Sequence, residues 1–224
     1  TDVSICSGTN SILTAIGTGT SWLWSPSGTL NNANVQNPTA TPTITTTYTV
    51  TATNGCGSAT DNVIVTVTAL PSVNAGIDQT ICSGSTANLA ASGATNYTWN
   101  PAGSLTNANI YNPQATPTIT TTYTVQGTST CGTATDNIIV TVNPLPTSNA
   151  GTDGQICEGQ STTLNGSGTG VGITYSWSPA TGLSNTSIAT PTANPSTTTT
   201  YILTVQSSCG TITDAVTITV NPIP

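Results

Sequence analysis

The chain has 224 residues, only 3% of them charged, and contains no Lys, Arg, His, Phe or Met. Seven acidic residues give a net charge of −7 with no side-chain cation to pair with them, so side-chain salt bridges are excluded, and nucleic acid or an anionic membrane surface finds no partner. Without His or Lys the usual general bases are missing, and six cysteines without C-x-x-C spacing point to disulfides in an oxidising compartment rather than to zinc.

Self-similarity at a period of 75 to 78 residues organises the chain. Each copy opens on a cysteine: Cys6 in ICSG, Cys82 in ICSG and Cys157 in ICEG. An aromatic stretch follows, with Trp24 in WLWSP, Trp99 in YTWNP and Trp177 in YSWSP. Next come ATPTITTTYTV around Tyr48, the identical string around Tyr123, and NPSTTTTYILTV around Tyr201. Eight residues after each of these tyrosines stands a second cysteine, Cys56, Cys131 or Cys209, then Gly and a TDNVIVTV, TDNIIVTV or TDAVTITV segment. Proline-containing linkers near Pro71 and Pro146 divide the chain into repeats 1–70, 71–146 and 147–224.

Period-2 alternation of Thr, Val, Ile and Tyr, broken by Gly, Asn and Pro, is a pattern of short strands, and nothing reads as a helix. In the second copy it predicts strands over Val73–Ile81, Thr86–Ala91, Asn96–Asn100, Thr118–Gly127 and Thr133–Val142, with Ala102–Ala115 irregular apart from one or two short strands. The expected fold class is all-β, three immunoglobulin-like sandwiches arranged head to tail. Thr1–Gly8 has neither the cationic start nor the apolar core of a signal peptide, and no apolar run is long enough to span a bilayer, so the chain reads as a mature fragment.

The NAGIDQTICSG opening, the Y-x-W strand, TTTYTV and the closing VTVNPLP resemble PKD-like or Ig-like repeats of giant Bacteroidota surface proteins, over essentially the whole chain. The resemblance implies an exported adhesin, with gliding-motility adhesins and cargo of the type IX secretion system among its relatives. It specifies the domain type far more sharply than the function, because such repeats serve as spacers, filament bodies and glycan-binding units.

Trp22/Trp24, Tyr97/Trp99 and Tyr175/Trp177 are spaced two apart, so each pair faces one side of its strand. A sugar-stacking platform and a sandwich core both fit that spacing. The absence of Phe and Met favours the core, and it favours inward packing of Tyr48, Tyr123 and Tyr201 with their hydroxyls bonded to backbone. Tyr111 sits in a loop where the other copies carry Gln36 and Ala189, which makes it the candidate exposed binding aromatic. Asp61, Asp136 and Asp214 recur at one position and suit a turn or strand end. Asp2, Asp78 and Asp153 lie near the linkers and are candidate calcium ligands if linker carbonyls complete the shell; no other cofactor is implied. No catalytic residue is assigned, since a glycosidase would need a repeated pair of carboxylates and Glu158 occurs in one copy only.

The simplest disulfide pairing is within each copy. Yet the first cysteine precedes the second strand and the second lies in the last hairpin, so a strand of six or seven residues separates them by roughly 20 Å, whereas a disulfide needs Cα atoms within about 7 Å. Head-to-tail stacking pairs Cys6 with Cys131 and Cys82 with Cys209, leaving Cys56 and Cys157 for adjacent repeats. The expected function is therefore the stalk or filament body of a secreted surface adhesin, extracellular and non-enzymatic. Its partners are neighbouring repeats of the same polypeptide, with glycans or other cells reached through a tip outside these residues, and no nucleic acid or membrane insertion. A glycan-binding accessory module and a noncovalent filament or S-layer subunit are the alternatives.

Overall fold

The computed structural model covers residues 1–224 and contains strands, turns and loops but no helix. The first copy comprises β1 (Val3–Cys6), β2 (Ser11–Ile12), β3 (Ser21–Ser25), β4 (Thr39–Ala40), β5 (Thr46–Asn54) and β6 (Gly57–Thr68). The second comprises β7 (Gln79–Cys82), β8 (Ala87–Asn88), β9 (Asn96–Asn100), β10 (Gln114–Ala115), β11 (Thr121–Ser129) and β12 (Gly132–Asn143). The third comprises β13 (Thr147–Asn149), β14 (Gly154–Cys157), β15 (Thr162–Thr163), β16 (Ser167–Thr169), β17 (Thr174–Ser178), β18 (Thr192–Ala193), β19 (Thr199–Ser207) and β20 (Gly210–Asn221).

Each copy has a four-stranded sheet of order β1-β6-β5-β3, β7-β12-β11-β9 or β14-β20-β19-β17, facing a two-stranded β2-β4, β10-β8 or β15-β18 sheet. The first strand of each larger sheet runs parallel to the last, and the other pairs are antiparallel. Alternation builds the core. Along β11 the side chains of Tyr123 and Val125 are buried while Thr122 and Gln126 face outward. Trp99, Tyr123, Leu89 and Ile138 form the centre of a ten-residue cluster in the second copy, and Trp24 and Trp177 occupy the same place in the others.

The span expected as one strand from Val73 to Ile81 is broken. Asn74 bridges to Ser92, Gly76 turns the chain at φ +89° with its N–H bonded to Asn74 Oδ1, and pairing resumes only at Gln79 in the other sheet. Glycine permits that left-handed turn, and the chain uses it to change sheets. Thr86–Ala91 shortens to β8, because beyond it the partner segment is interrupted by proline and single bonds run from Leu89 N–H to Pro113 O and from Ala91 N–H to Tyr111 O.

Candidate functional site

The recurring cysteines converge on the junctions between copies. The β5–β6, β11–β12 and β19–β20 hairpins close on two-residue loops, Gly55–Cys56, Thr130–Cys131 and Ser208–Cys209, each followed by glycine with positive φ. An Asn or Ser side chain holds the cysteine N–H in each: Asn54 Oδ1, Ser129 Oγ and Ser207 Oγ. The loop thus presents its cysteine at one pole. The first cysteine of each copy stands at the other pole, since Cys6 pairs in register with Thr68, Cys82 with Asn143 and Cys157 with Asn221, the last residues of their long strands.

Within one copy the two cysteines are separated by the full 12-residue closing strand. At about 3.3 Å per residue that is roughly 35–40 Å, nearly twice the separation that follows from a strand of six or seven residues. Across the junction the distances are of another order. Cys6 is bonded to Cys131 with the Cα atoms 5.3 Å apart, and Cys82 to Cys209 with 5.4 Å. Cys6, Thr68 and Cys131 border a hollow of about 210 Å³ at the first junction. At the second, the Cys209 sulfur lies 3.9 Å from Asn143 O. Cys56 and Cys157 are exposed free thiols at the pole positions equivalent to Cys131 and Cys6.

The acids tie strands together. Asp2, Asp78 and Asp153 each accept one backbone N–H from the closing strand of their own copy, from Ile64 at 2.9 Å, Ile139 at 2.8 Å and Thr217 at 2.8 Å. They stand apart from one another, and nowhere do three His, Cys, Asp or Glu side chains gather. Asp136 and Asp214 do something the sequence reading missed: Oδ2 of each accepts the N–H of Ala75 or Ala150, both at 2.8 Å, anchoring the first segment of the copy. The pairing of each NAG with a later TD was the available signal. The Ala75 N–H, with the Asn137 N–H behind it, holds the Asp136 carboxyl below its ordinary 3.8. Asp61 accepts only the N–H of its neighbour Asn62.

The aromatics are mostly interior. Trp24, Trp99 and Trp177 are buried, and their indole N–H groups donate to the carbonyls of Val35, Ile110 and Ile188. Trp22, Tyr97 and Tyr175 pack half-buried beside them. The tyrosine hydroxyls depart from expectation in two copies. Tyr201 donates to a backbone carbonyl, Thr181 O at 2.9 Å, but Tyr48 and Tyr123 bond the side-chain hydroxyls of Thr29 and Ser104. Burial pushes the Tyr201 phenol upward. Tyr111 is exposed, with its carbonyl engaged by Ala91 and no second aromatic on its loop.

No protein-family model and no curated protein matches this chain. Solved structures do. A Glu-to-Ala variant of a three-immunoglobulin-domain titin fragment superposes with a TM-score of 0.60 at 12% identity, covering 98% of this chain and 95% of that one. The corresponding I-band fragment of titin gives 0.58 at 13%, over 98% and 95%. The eight N-terminal Ig domains of Down Syndrome Cell Adhesion Molecule give 0.57 at 14%, over 97% of this chain and 35% of that one. At such identities the likeness is one of fold: tandem immunoglobulin-like sandwiches, head to tail.

Proposed function

We propose that this chain is a length of the stalk of a large secreted bacterial surface adhesin, of the gliding-motility type its repeats resemble, and that its work is mechanical. The observation that carries the reading is the disulfide across each junction, Cys6–Cys131 and Cys82–Cys209, which restrains two successive domains where a linker alone would let them swing. Linkers around Pro71 and Pro146 add stiffness, and repeats 1–70, 71–146 and 147–224 act as units of one rod. Cys56 and Cys157 continue the pattern by bonding cysteines of further repeats on either side. Support comes also from the chemistry that is missing, since no His, Lys or cluster of acids offers a catalytic or metal-binding centre. Two of the similar structures are titin fragments and one is from a cell adhesion molecule, which fits a mechanical or adhesive tandem array.

Small-angle scattering of the full chain before and after reduction tests this. A narrow distribution of interdomain distances that broadens with reductant is expected. Indistinguishable profiles would remove the mechanical role of the bridges. Assembly of the oxidised chain into a regular lattice would favour a noncovalent subunit, and a monomer that binds polysaccharide would favour an accessory module.

A further inference from the structure

Three Asn-x-Ser/Thr triplets occur in the chain, at Asn96–Thr98, Asn165–Ser167 and Asn185–Ser187. This is the acceptor pattern for N-linked sugars, in which the carboxamide and the hydroxyl two residues on are read together. The fold treats the three differently. Asn96 and Thr98 lie in β9 and pair with Thr128 and Gln126 of β11, so the acceptor backbone is held in the ladder. In the second triplet Ser167 pairs with Asn149 in the β13–β16 ribbon. Its middle residue, Gly166, is buried so closely that an added Cβ would stand 2.5 Å from Ala189 O.

The third triplet lies outside any strand, in the loop between β17 and β18. Asn185 Oδ1 accepts the Ser187 N–H at 2.8 Å, an Asx turn that folds the carboxamide back toward the serine. Asn185 and Ser187 are both exposed, and neither Asn185 Nδ2 nor Ser187 Oγ makes a hydrogen bond within the chain. Bonds on the same segment fix the turn: Trp177 N–H donates to Thr186 O at 2.8 Å, and the Trp177 indole N–H to Ile188 O at 3.0 Å. The same frame recurs in the other copies. Asn34 N–H donates to Asn32 Oδ1 and Asn109 N–H to Asn107 Oδ1, each at 2.9 Å, just before the indole acceptors Val35 and Ile110. Only the third copy carries a hydroxyl at the last position of this turn.

We propose that Asn185 is the N-glycan acceptor of this chain, selected by its turn, and that Asn96 and Asn165 are passed over. The sugar is a hexose type carried by a phosphate-activated donor. In the transfer a bond forms between Asn185 Nδ2 and the anomeric carbon, and the bond from that carbon to the donor phosphate breaks. The phosphate leaves with the electron pair, and the amide gives up one proton to solvent. The turn supplies the acceptor's side of this step: an unengaged amide nitrogen, a free hydroxyl close by, and backbone that need not be pulled from a sheet. Trp177, which anchors the turn, belongs to β17, the edge strand of its four-stranded sheet. The sugar therefore stands at an open sheet edge, in a chain with no Lys or Arg to guard one. This site stands whether or not the junction bridges stiffen the chain.

The test treats the folded, oxidised full chain with UDP-glucose and a soluble glucosyltransferase that recognises Asn-x-Ser/Thr, read by intact mass and peptide mapping. One hexose per chain is expected, on Asn185. Ser187→Ala should abolish it. Asn109→Ser, which completes Asn-Ala-Ser at the equivalent turn of the second copy, should add a second hexose, on Asn107. Peptides spanning the three triplets, free of the fold, should all accept; the same Asn185 preference among them would remove the turn as its cause. A folded chain modified at Asn96 or Asn165, or left unmodified at Asn185, overturns the proposal. Mapping of the chain taken from its natural source should find sugar on Asn185 and not on Asn96 or Asn165, and a bare Asn185 there would overturn it equally.

Discussion

The second and third copies fill the space beside their opening segment in two ways, with Val73 over Gly127 in one and Ser148 near Val205 in the other. At Gly127 an added Cβ would meet Val73 Cγ2 at 2.4 Å and Ala94 Cβ at 2.6 Å, while in the third copy a Cβ at Gly168 would meet Val205 Cγ2 at 2.8 Å. The bulk lies on Val73 of the opening segment in the second copy and on Val205 of the four-stranded sheet in the third. Gly127→Ala should destabilise the second domain by about 1–3 kcal/mol through overpacking, and Val73→Ser in the same background should recover only part of it, because the Ala94 contact remains, as measured by denaturant unfolding. Asp136 makes a second prediction. Its folded carboxyl titrates below the ordinary 3.8, so the native state binds fewer protons than the unfolded one. The stability it contributes is complete above that value and is lost as pH falls through the folded value. The Ala75 amide signal should therefore move as pH drops below 3.8, and Asp136→Asn should abolish the movement. An Ala75 amide that ignores acid would refute the bond.

Strands were legible where side chains alternate and illegible where backbone hydrogen bonds decide. The segment Asn96–Asn100 coincides with β9, because Tyr97 and Trp99 mark one face plainly. The expected Thr118–Gly127 and Thr133–Val142 correspond to β11 and β12, which run to Ser129 and begin at Gly132 because the tight Thr130–Cys131 turn carries the ladder to the hairpin tip. What composition could not reveal was the break at Gly76, where the chain leaves one sheet for the other, nor that Asp136 and Asp214 hold that break in place. The cores were readable from scarcity: with no Phe or Met, the buried Trp and Tyr are the largest side chains of each cluster. Trp99→Ala should accordingly cost about 3–5 kcal/mol, enough to unfold one small domain, and calorimetry should show the loss of one transition rather than three. A uniform shift of all transitions would mean the domains are more tightly coupled than separate cores imply.

Across the whole molecule the repeat was plain in the sequence, and the junction was readable only through cysteine spacing. Each bridge closes a long loop, 125 residues for Cys6–Cys131 and 127 for Cys82–Cys209, and the loops overlap because Cys82 lies within the first. A chain-entropy estimate for loops of this length is about 5 kcal/mol each, so reduction should lower the thermal midpoint as well as loosen the array. Unchanged melting after complete reduction would show that the bridges do not restrain the unfolded chain. The central claim is that the covalent links run between domains. Peptide mapping of the non-reduced chain tests it most directly, using a protease that cuts at aromatic or aliphatic residues because no Lys or Arg is present. Linked peptides joining Cys6 to Cys131 and Cys82 to Cys209 are the predicted result; linkage of Cys6 to Cys56 or of Cys82 to Cys131 would contradict it.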